Sequence, residues 1–260
     1  MHPEPAPIHS SSRTSIVTGG TGAIGSAVVR LLAARGDRVV FTYRSAAGAA
    51  AALTREVTTV GGQCGAMPVD LTKADDVGAF VRAVADRSGA IDVVVHAAGP
   101  HVRQVNMSSV TPKEFRAQLD GESGAFWNLV HPAIPHLRAS QGAIVAITTV
   151  ALRRFPMRDG LSPTTKAGIE ALVRVVAAEE GRYGIRANCV GPGILADGMA
   201  ARLIASGEFD EVSQEAARRS IPLRRFGTAE DVARVAVFLA SEGAAYVTGQ
   251  SIDVDGGYSR

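Results

Sequence analysis

The sequence predicts an α/β domain built on one parallel sheet with helices on both faces, and three observations predict it. Apolar strand-like runs alternate with helix-like runs along the chain, the pattern of strand–helix–strand units joined by right-handed crossovers. The apolar residues are mainly Ala, Val, Leu and Ile, with only 5% aromatic, which suits strands buried on both faces. At 260 residues the chain is long enough to bury such a sheet in a single domain.

Taken in order, the strand candidates are 15–18 (Ser-Ile-Val-Thr), 38–42 (Arg-Val-Val-Phe-Thr), 66–69, 91–95, 143–147, 187–190 and 251–254. Between them, 23–35, 46–60, 73–88, 112–137, 162–181 and 229–240 carry apolar residues at three-to-four spacing and read as helices. The stretch 195–225 fits neither pattern, being broken by Gly207 and Pro222, and is a candidate substrate lid or a static surface insertion. Residues 1–12, rich in proline, serine and histidine, read as a disordered tail ahead of a domain spanning 13–260.

The net charge of +2 supplies no global field for nucleic acid or an anionic membrane. Cys64 and Cys189 stand far apart and outside any Cys/His cluster, which predicts a reducing compartment and no metal. No run approaches the roughly 20 apolar residues of a membrane span, so the expected location is the cytoplasm.

Chemistry enters at Thr18-Gly19-Gly20-Thr21-Gly22-Ala23-Ile24-Gly25, which follows a strand and opens a helix. Glycines there let the backbone approach a pyrophosphate, and the helix end supplies unpaired N–H groups and a positive dipole end. Further signals are Asp70-Leu71 after the third strand, His96-Ala97-Ala98-Gly99 after the fourth, Lys166-Ala167-Gly168, Pro192-Gly193, Val247-Thr248-Gly249-Gln250 and Val254-Asp255-Gly256-Gly257.

On these motifs the chain resembles the short-chain dehydrogenase/reductase family over nearly its whole length. The resemblance implies a seven-stranded, doubly wound Rossmann-type sheet, a nicotinamide cofactor and a homotetramer. It implies cofactor contacts at Gly19, Thr21, Gly22, Ile24, Gly25, Asp70, Leu71, Ala98, Gly99, Lys166, Pro192 and Gly193. Asp70 matches the aspartate that contacts adenine, with a helix N-cap at Asp70 or Thr72 as the competing role. After the second strand, Tyr43 stands where an acid would bind ribose hydroxyls, and Arg44 follows it. A planar cation there can pair with a 2′-phosphate, which predicts NADP(H).

The same resemblance exposes a departure in the reacting residues. The family uses a tyrosine to move the proton, a lysine four residues later to lower its pKa and hold the nicotinamide ribose, a serine and an asparagine. Here Lys166 matches, but the tyrosine position is Ser162, the serine position Thr149, and the asparagine position falls near Glu122. Thr149 keeps a hydroxyl that can donate to a substrate oxygen, whereas Ser162 is far too weakly acidic to replace a phenol. Related enoyl-thioester reductases carry the tyrosine seven residues before the lysine, here Asp159. Dienoyl-thioester reductases carry a serine four before it, as Ser162 does, and a tyrosine where Ala151 stands.

Candidate replacement acids are Glu122, Asp159, His96 and His101, with Glu122 foremost; ordinary roles compete, including an Asp159–Arg158 ion pair and a surface or interface place for Glu122. Asp197 is expected to crowd a pyrophosphate. His101, Arg103, Arg153, Arg154 and Arg158 form a candidate basic mouth for a carrier-bound acyl group, or a solvated subunit edge. Phe155, Pro156, Met157, Leu161, Trp127 and Leu195 are candidates for the acyl side of such a pocket.

The sequence therefore predicts an NADP(H)-dependent oxidoreductase of conjugated or activated carbonyl compounds, small or carrier-bound thioesters included. Conjugate reduction tolerates loss of the tyrosine better than ketone reduction, because it chiefly needs donors aimed at an enolate oxygen. Two alternatives remain open: a non-redox cyclase, isomerase or dehydratase retaining NADP as a fixed element, and a catalytically silent cofactor-binding subunit.

Overall fold

The structure, a computed structural model, describes residues 12–197 and 210–260. Its seven strands are β1 (Thr14–Thr18), β2 (Arg38–Tyr43), β3 (Gln63–Pro68), β4 (Val93–His96), β5 (Ala143–Ile147), β6 (Arg186–Pro192) and β7 (Ser251–Val254). They form one parallel sheet in the order β3-β2-β1-β4-β5-β6-β7. The order reverses direction between β1 and β4, so a crevice opens at their carboxyl ends.

Side chains alternate across each strand, and both faces are apolar. Ile16, Val94 and Ile144 pack against α3 (Ala74–Ser88), α5 (Ala125–Ser140) and α6 (Leu161–Glu180). Their neighbours Val17, Val93, Val95 and Val145 face α1 (Ala23–Ala34), α2 (Ala47–Thr59) and α8 (Ala229–Leu239). The remaining helices described are α4 (Pro112–Leu119) and α7 (Glu211–Ser220).

The helix expected over 112–137 is divided. A π-helical turn, Asp120–Gly124, separates α4 from α5 and turns Glu122 into the interior, an insertion that apolar spacing does not reveal. The third strand begins at Gln63 instead of 66 and the fourth at Val93 instead of 91, since ladder pairing with β2 and β1 sets those ends. Of the stretch 195–225, residues 198–209 lie outside the described residues, as do 1–11 of the tail; its later part forms α7. No helix among the described residues is long and apolar enough to cross a membrane.

Phe126, at the start of α5, is fully buried and meets the His96 ring edge-on, with centroids 5.4 Å apart. Phe126→Ala is expected to cost about 3–5 kcal/mol of unfolding free energy, since the cavity would lie under β4. Urea denaturation followed by circular dichroism measures the loss.

Candidate active site

A cavity of about 290 Å³ opens at the carboxyl ends of β1, β2, β3 and β4. Gly19, Thr21 and Gly22 line it from the first turn, Arg44 and Ser45 from the end of β2, Asp70, Leu71 and Thr72 from the end of β3, and Ala98 and Gly99 from the end of β4. The glycines are fixed by backbone contact. A Cβ on Gly19, where φ is +66°, would lie 2.7 Å from the Ala98 Cα, and one on Gly25 would lie 2.2 Å from the Gly19 oxygen. The turn, the head of α1 and the loop after β4 are therefore in direct contact.

α1 has neither a side-chain cap at Gly22 nor an acid in its first turn, so its positive end is left for an external anion. Arg44 is near enough to Asp70 for its charge to help hold that carboxyl below the usual range, after the hydrogen bonds from the Thr72 hydroxyl and N–H. These residues fit a phosphorylated dinucleotide: N–H groups for the pyrophosphate and a guanidinium for a further phosphate.

Several expected contacts fall elsewhere. Ile24 is partly buried and packed against the core, and Pro192 and Gly193 sit beside the end of β7, where a Cβ on Gly193 would lie 2.6 Å from the Asp255 Cα. Asp70 caps its own turn through Thr72, while Lys73 occupies the N-cap of α3, so the N-cap role expected of Asp70 or Thr72 does not hold. Asp197 does not stand exposed to an incoming anion: it accepts a 2.6 Å hydrogen bond from the Ala229 N–H at the head of α8.

Beyond Gly99 lie Glu122 and Lys166, with Nζ 2.5 Å from Oε2. The Glu122 side chain is 1% exposed, which excludes the surface or interface role open to it in sequence, and Lys166 is 14% exposed. The mounting is specific. Ser123, next to Glu122, donates to the Thr165 carbonyl at 2.6 Å, and a Cβ on Gly168 would lie 2.5 Å from the Ser123 oxygen. Glycine in Lys166-Ala167-Gly168 thus admits the π-helical turn against α6. Burial pushes the Glu122 carboxyl above its usual range, with the Lys166 ammonium pulling the other way.

Ser162 and Lys166 share a face of α6 one turn apart, and Ser162 is buried. Thr148 is tied into the sheet through the Val190 carbonyl, whereas Thr149 follows on the other side. The Thr149 hydroxyl accepts from the Ala151 N–H at 3.1 Å, which leaves its proton available to a substrate oxygen.

His96 is no proton donor near neutrality. It is wholly buried, shares a 3.0 Å hydrogen bond with Thr18 through Nδ1, and burial, helped by Lys166, pushes its pKa down to about 3. Asp159 does not pair with Arg158; Gln104 donates to it at 3.0 Å.

The expected basic mouth is largely neutralised. Arg103 pairs with Glu114, Arg153 with Glu170 and Asp253, and the Arg154 guanidinium lies 4.4 Å above the Tyr258 ring. Phe155 and Met157 do face solvent, at 74% and 86% exposure, as the acyl-pocket expectation allows, whereas Leu161 is buried. Sequence reasoning missed the Arg153–Glu170 clamp; a glutamate on the apolar face of α6 was its available signal. The role of Gln104 had no signal, since it depends on a loop contact 55 residues away.

With the geometry in hand, comparison is informative. The family described as enoyl-(acyl carrier protein) reductase matches residues 20–259. A 3-oxoacyl-[acyl-carrier-protein] reductase of Chlamydia trachomatis is 34% identical over 249 residues, covering 95% of this chain and 97% of that one. An L-fucose dehydrogenase of Rattus norvegicus is 31% identical, covering 95% and 89%. A short-chain type dehydrogenase/reductase structure from Mycobacterium ulcerans superposes with a TM-score of 0.88 at 30% identity, over 96% of this chain and 90% of that one. The chain belongs to the short-chain dehydrogenase/reductase family of oxidoreductases.

His96 fixes a pH dependence. Its folded pKa lies below the ordinary value near ~6.5, so between about pH 6.5 and pH 3 the unfolded chain binds more protons than the folded one. Stability contributed by the neutral imidazole is therefore complete above that window and lost as pH falls through it. His96→Asn should flatten the fall of Tm with acidification over this range, as read by scanning calorimetry at several pH values.

Proposed function

We propose that the chain is a cytoplasmic, homotetrameric NADP(H)-dependent reductase of conjugated or activated carbonyl compounds presented as acyl thioesters, working with an atypical active site. What supports the reading is the Lys166 side chain held next to Gly99 of the cavity lining, with Ser162 on the same face of α6 one turn before it. The thioester class draws on the relatives named as acting on carrier-bound acyl groups, and the place of Ser162 on its likeness to dienoyl-thioester reductases.

Gly19, Thr21, Gly22 and the head of α1 would hold the pyrophosphate, Arg44 the 2′-phosphate, and Lys166 a ribose hydroxyl. When bound, the cofactor supplies a hydride. Thr149 and Ser162 bind the substrate oxygen and stabilise the charge that builds there. Glu122, shut off from solvent, aims the Lys166 ammonium beside Gly99. In this role it positions Lys166 and does not serve as the acid.

A second reading, a non-redox isomerase or dehydratase with NADP as a fixed element, is favoured by one observation: the Glu122 carboxyl is raised toward the range in which acids shuttle protons. Product formation with no change in nicotinamide absorbance selects it over the reductase.

Arg44→Ala should weaken NADPH binding by about 10- to 100-fold, the worth of a charge-assisted hydrogen bond, and leave NADH binding unchanged. Titration calorimetry with both dinucleotides checks this; equal loss for both sinks the 2′-phosphate assignment. NADPH oxidation with crotonyl and sorbyl thioesters should be abolished by Lys166→Ala, and silence of the unaltered chain toward every thioester and enone tried counts against the reductase.

A further inference from the structure

We infer that Asp159 is the proton donor of the site, its carboxyl partly open to solvent, fixed by Gln104 and within the field of Lys166. The inference rests on the reductase reading above and supplies the acid that reading lacks.

Four observations converge on this residue. Asp159 lies at the end of the loop that precedes α6, and its carbonyl accepts from the Ser162 N–H at 3.2 Å, so its backbone is tied to the first turn of α6, one turn before Lys166. Gln104, in the loop after β4, donates to its Oδ1 at 3.0 Å, so the two segments that flank the site meet at this carboxyl. Asp159 is partly exposed, whereas Glu122, in contact with Lys166, is sealed. Burial raises the Asp159 carboxyl above its usual range, opposed by the Gln104 hydrogen bond and the Lys166 charge, the groups facing it among the described residues.

Two of the other candidates fail on access or charge. His96 is wholly buried and neutral, and Glu122 is committed to Lys166. Of the tyrosines, Tyr43 ends β2, Tyr183 lies under Arg138, Tyr246 is fully exposed and Tyr258 is stacked on Arg154.

The step balances simply. The β-carbon of a conjugated thioester accepts a hydride from a reduced nicotinamide, giving an enolate. The enolate then accepts the Asp159 proton at its α-carbon: the carboxyl O–H bond breaks, a C–H bond forms, and solvent water returns a proton to the carboxylate.

The test joins a titration to turnover. In the full chain with isotope-labelled aspartate carboxyls, the resonance lost in Asp159→Asn should titrate above the ordinary aspartate range. It should move further up in Gln104→Ala, which removes a donor that favours the charged form. With NADPH and crotonyl-pantetheine thioester, Asp159→Asn should lower kcat by about 10²- to 10⁴-fold while NADPH affinity by calorimetry stays unchanged. An ordinary titration midpoint, or turnover of Asp159→Asn within about twofold of the unaltered chain, overturns the inference with the reductase reading intact. If the unaltered chain binds no NADPH, the reductase reading falls and the donor role with it.

Discussion

The site depends on one interaction: a carboxylate withdrawn from water and set 2.5 Å from the ammonium of Lys166. Removing either charge alone strands the other in a weakly polar interior, at a cost that exceeds what the pair contributes over two apolar residues. The surrounding sequence is arranged to keep the two together. A π-helical turn offers Glu122 inward, Ser123 pins that turn to the Thr165 carbonyl, and Gly168 leaves the space in which the two backbones approach. Gly99 closes the assembly from the cavity side, where a Cβ would lie 3.1 Å from a Glu122 oxygen and 3.4 Å from the Lys166 nitrogen. The geometry of Lys166 is thus set by three segments of the chain, the loop after β4, the π-helical turn and α6 itself.

The sheet places this assembly where a ligand can reach it. Strand order reverses between β1 and β4, and the gap is held narrow by contact between Gly19 and the backbone of Ala97 and Ala98. The turn after β1 and the loop after β4 therefore cannot move independently. Whatever binds the head of α1 is registered against Gly99, and through Gly99 against Lys166. The Thr18–His96 hydrogen bond ties the ends of the same two strands from within, at the expense of holding an imidazole neutral in the core.

How much of this could be read from the chain depended on the range of the forces involved. The parallel sheet was legible because alternation and apolar runs are local consequences of burying both faces. The glycines of the first turn were legible because backbone approach leaves no alternative residue. Lys166 and Ser162 lie on the helix read over 162–181, and Arg44 lines the cavity at the end of β2. What escaped was set by distant partners. No periodicity announces that residues 120–124 form a π-helical turn, nor that Arg153, taken as a free cation at a mouth, is spent on Glu170 and Asp253. Asp197 looked like an obstacle to an anion because the N–H it accepts from, on Ala229, is 32 residues away.

The titratable groups around Lys166 are sorted by environment rather than by type. Desolvation acts on all three, and its sign follows the charge each would carry: it drives the His96 imidazole down to about 3 and both carboxyls up. Glu122 meets the Lys166 ammonium in direct contact and is acted on by Gln118 as well, while Asp159 feels that ammonium from the loop before α6 and answers also to Gln104. A carboxyl sealed from water has poor access to solvent protons; one partly open to water can exchange them. A phenol beside a lysine reaches that condition by having its pKa lowered. A carboxyl reaches it from the opposite direction, by having its pKa raised.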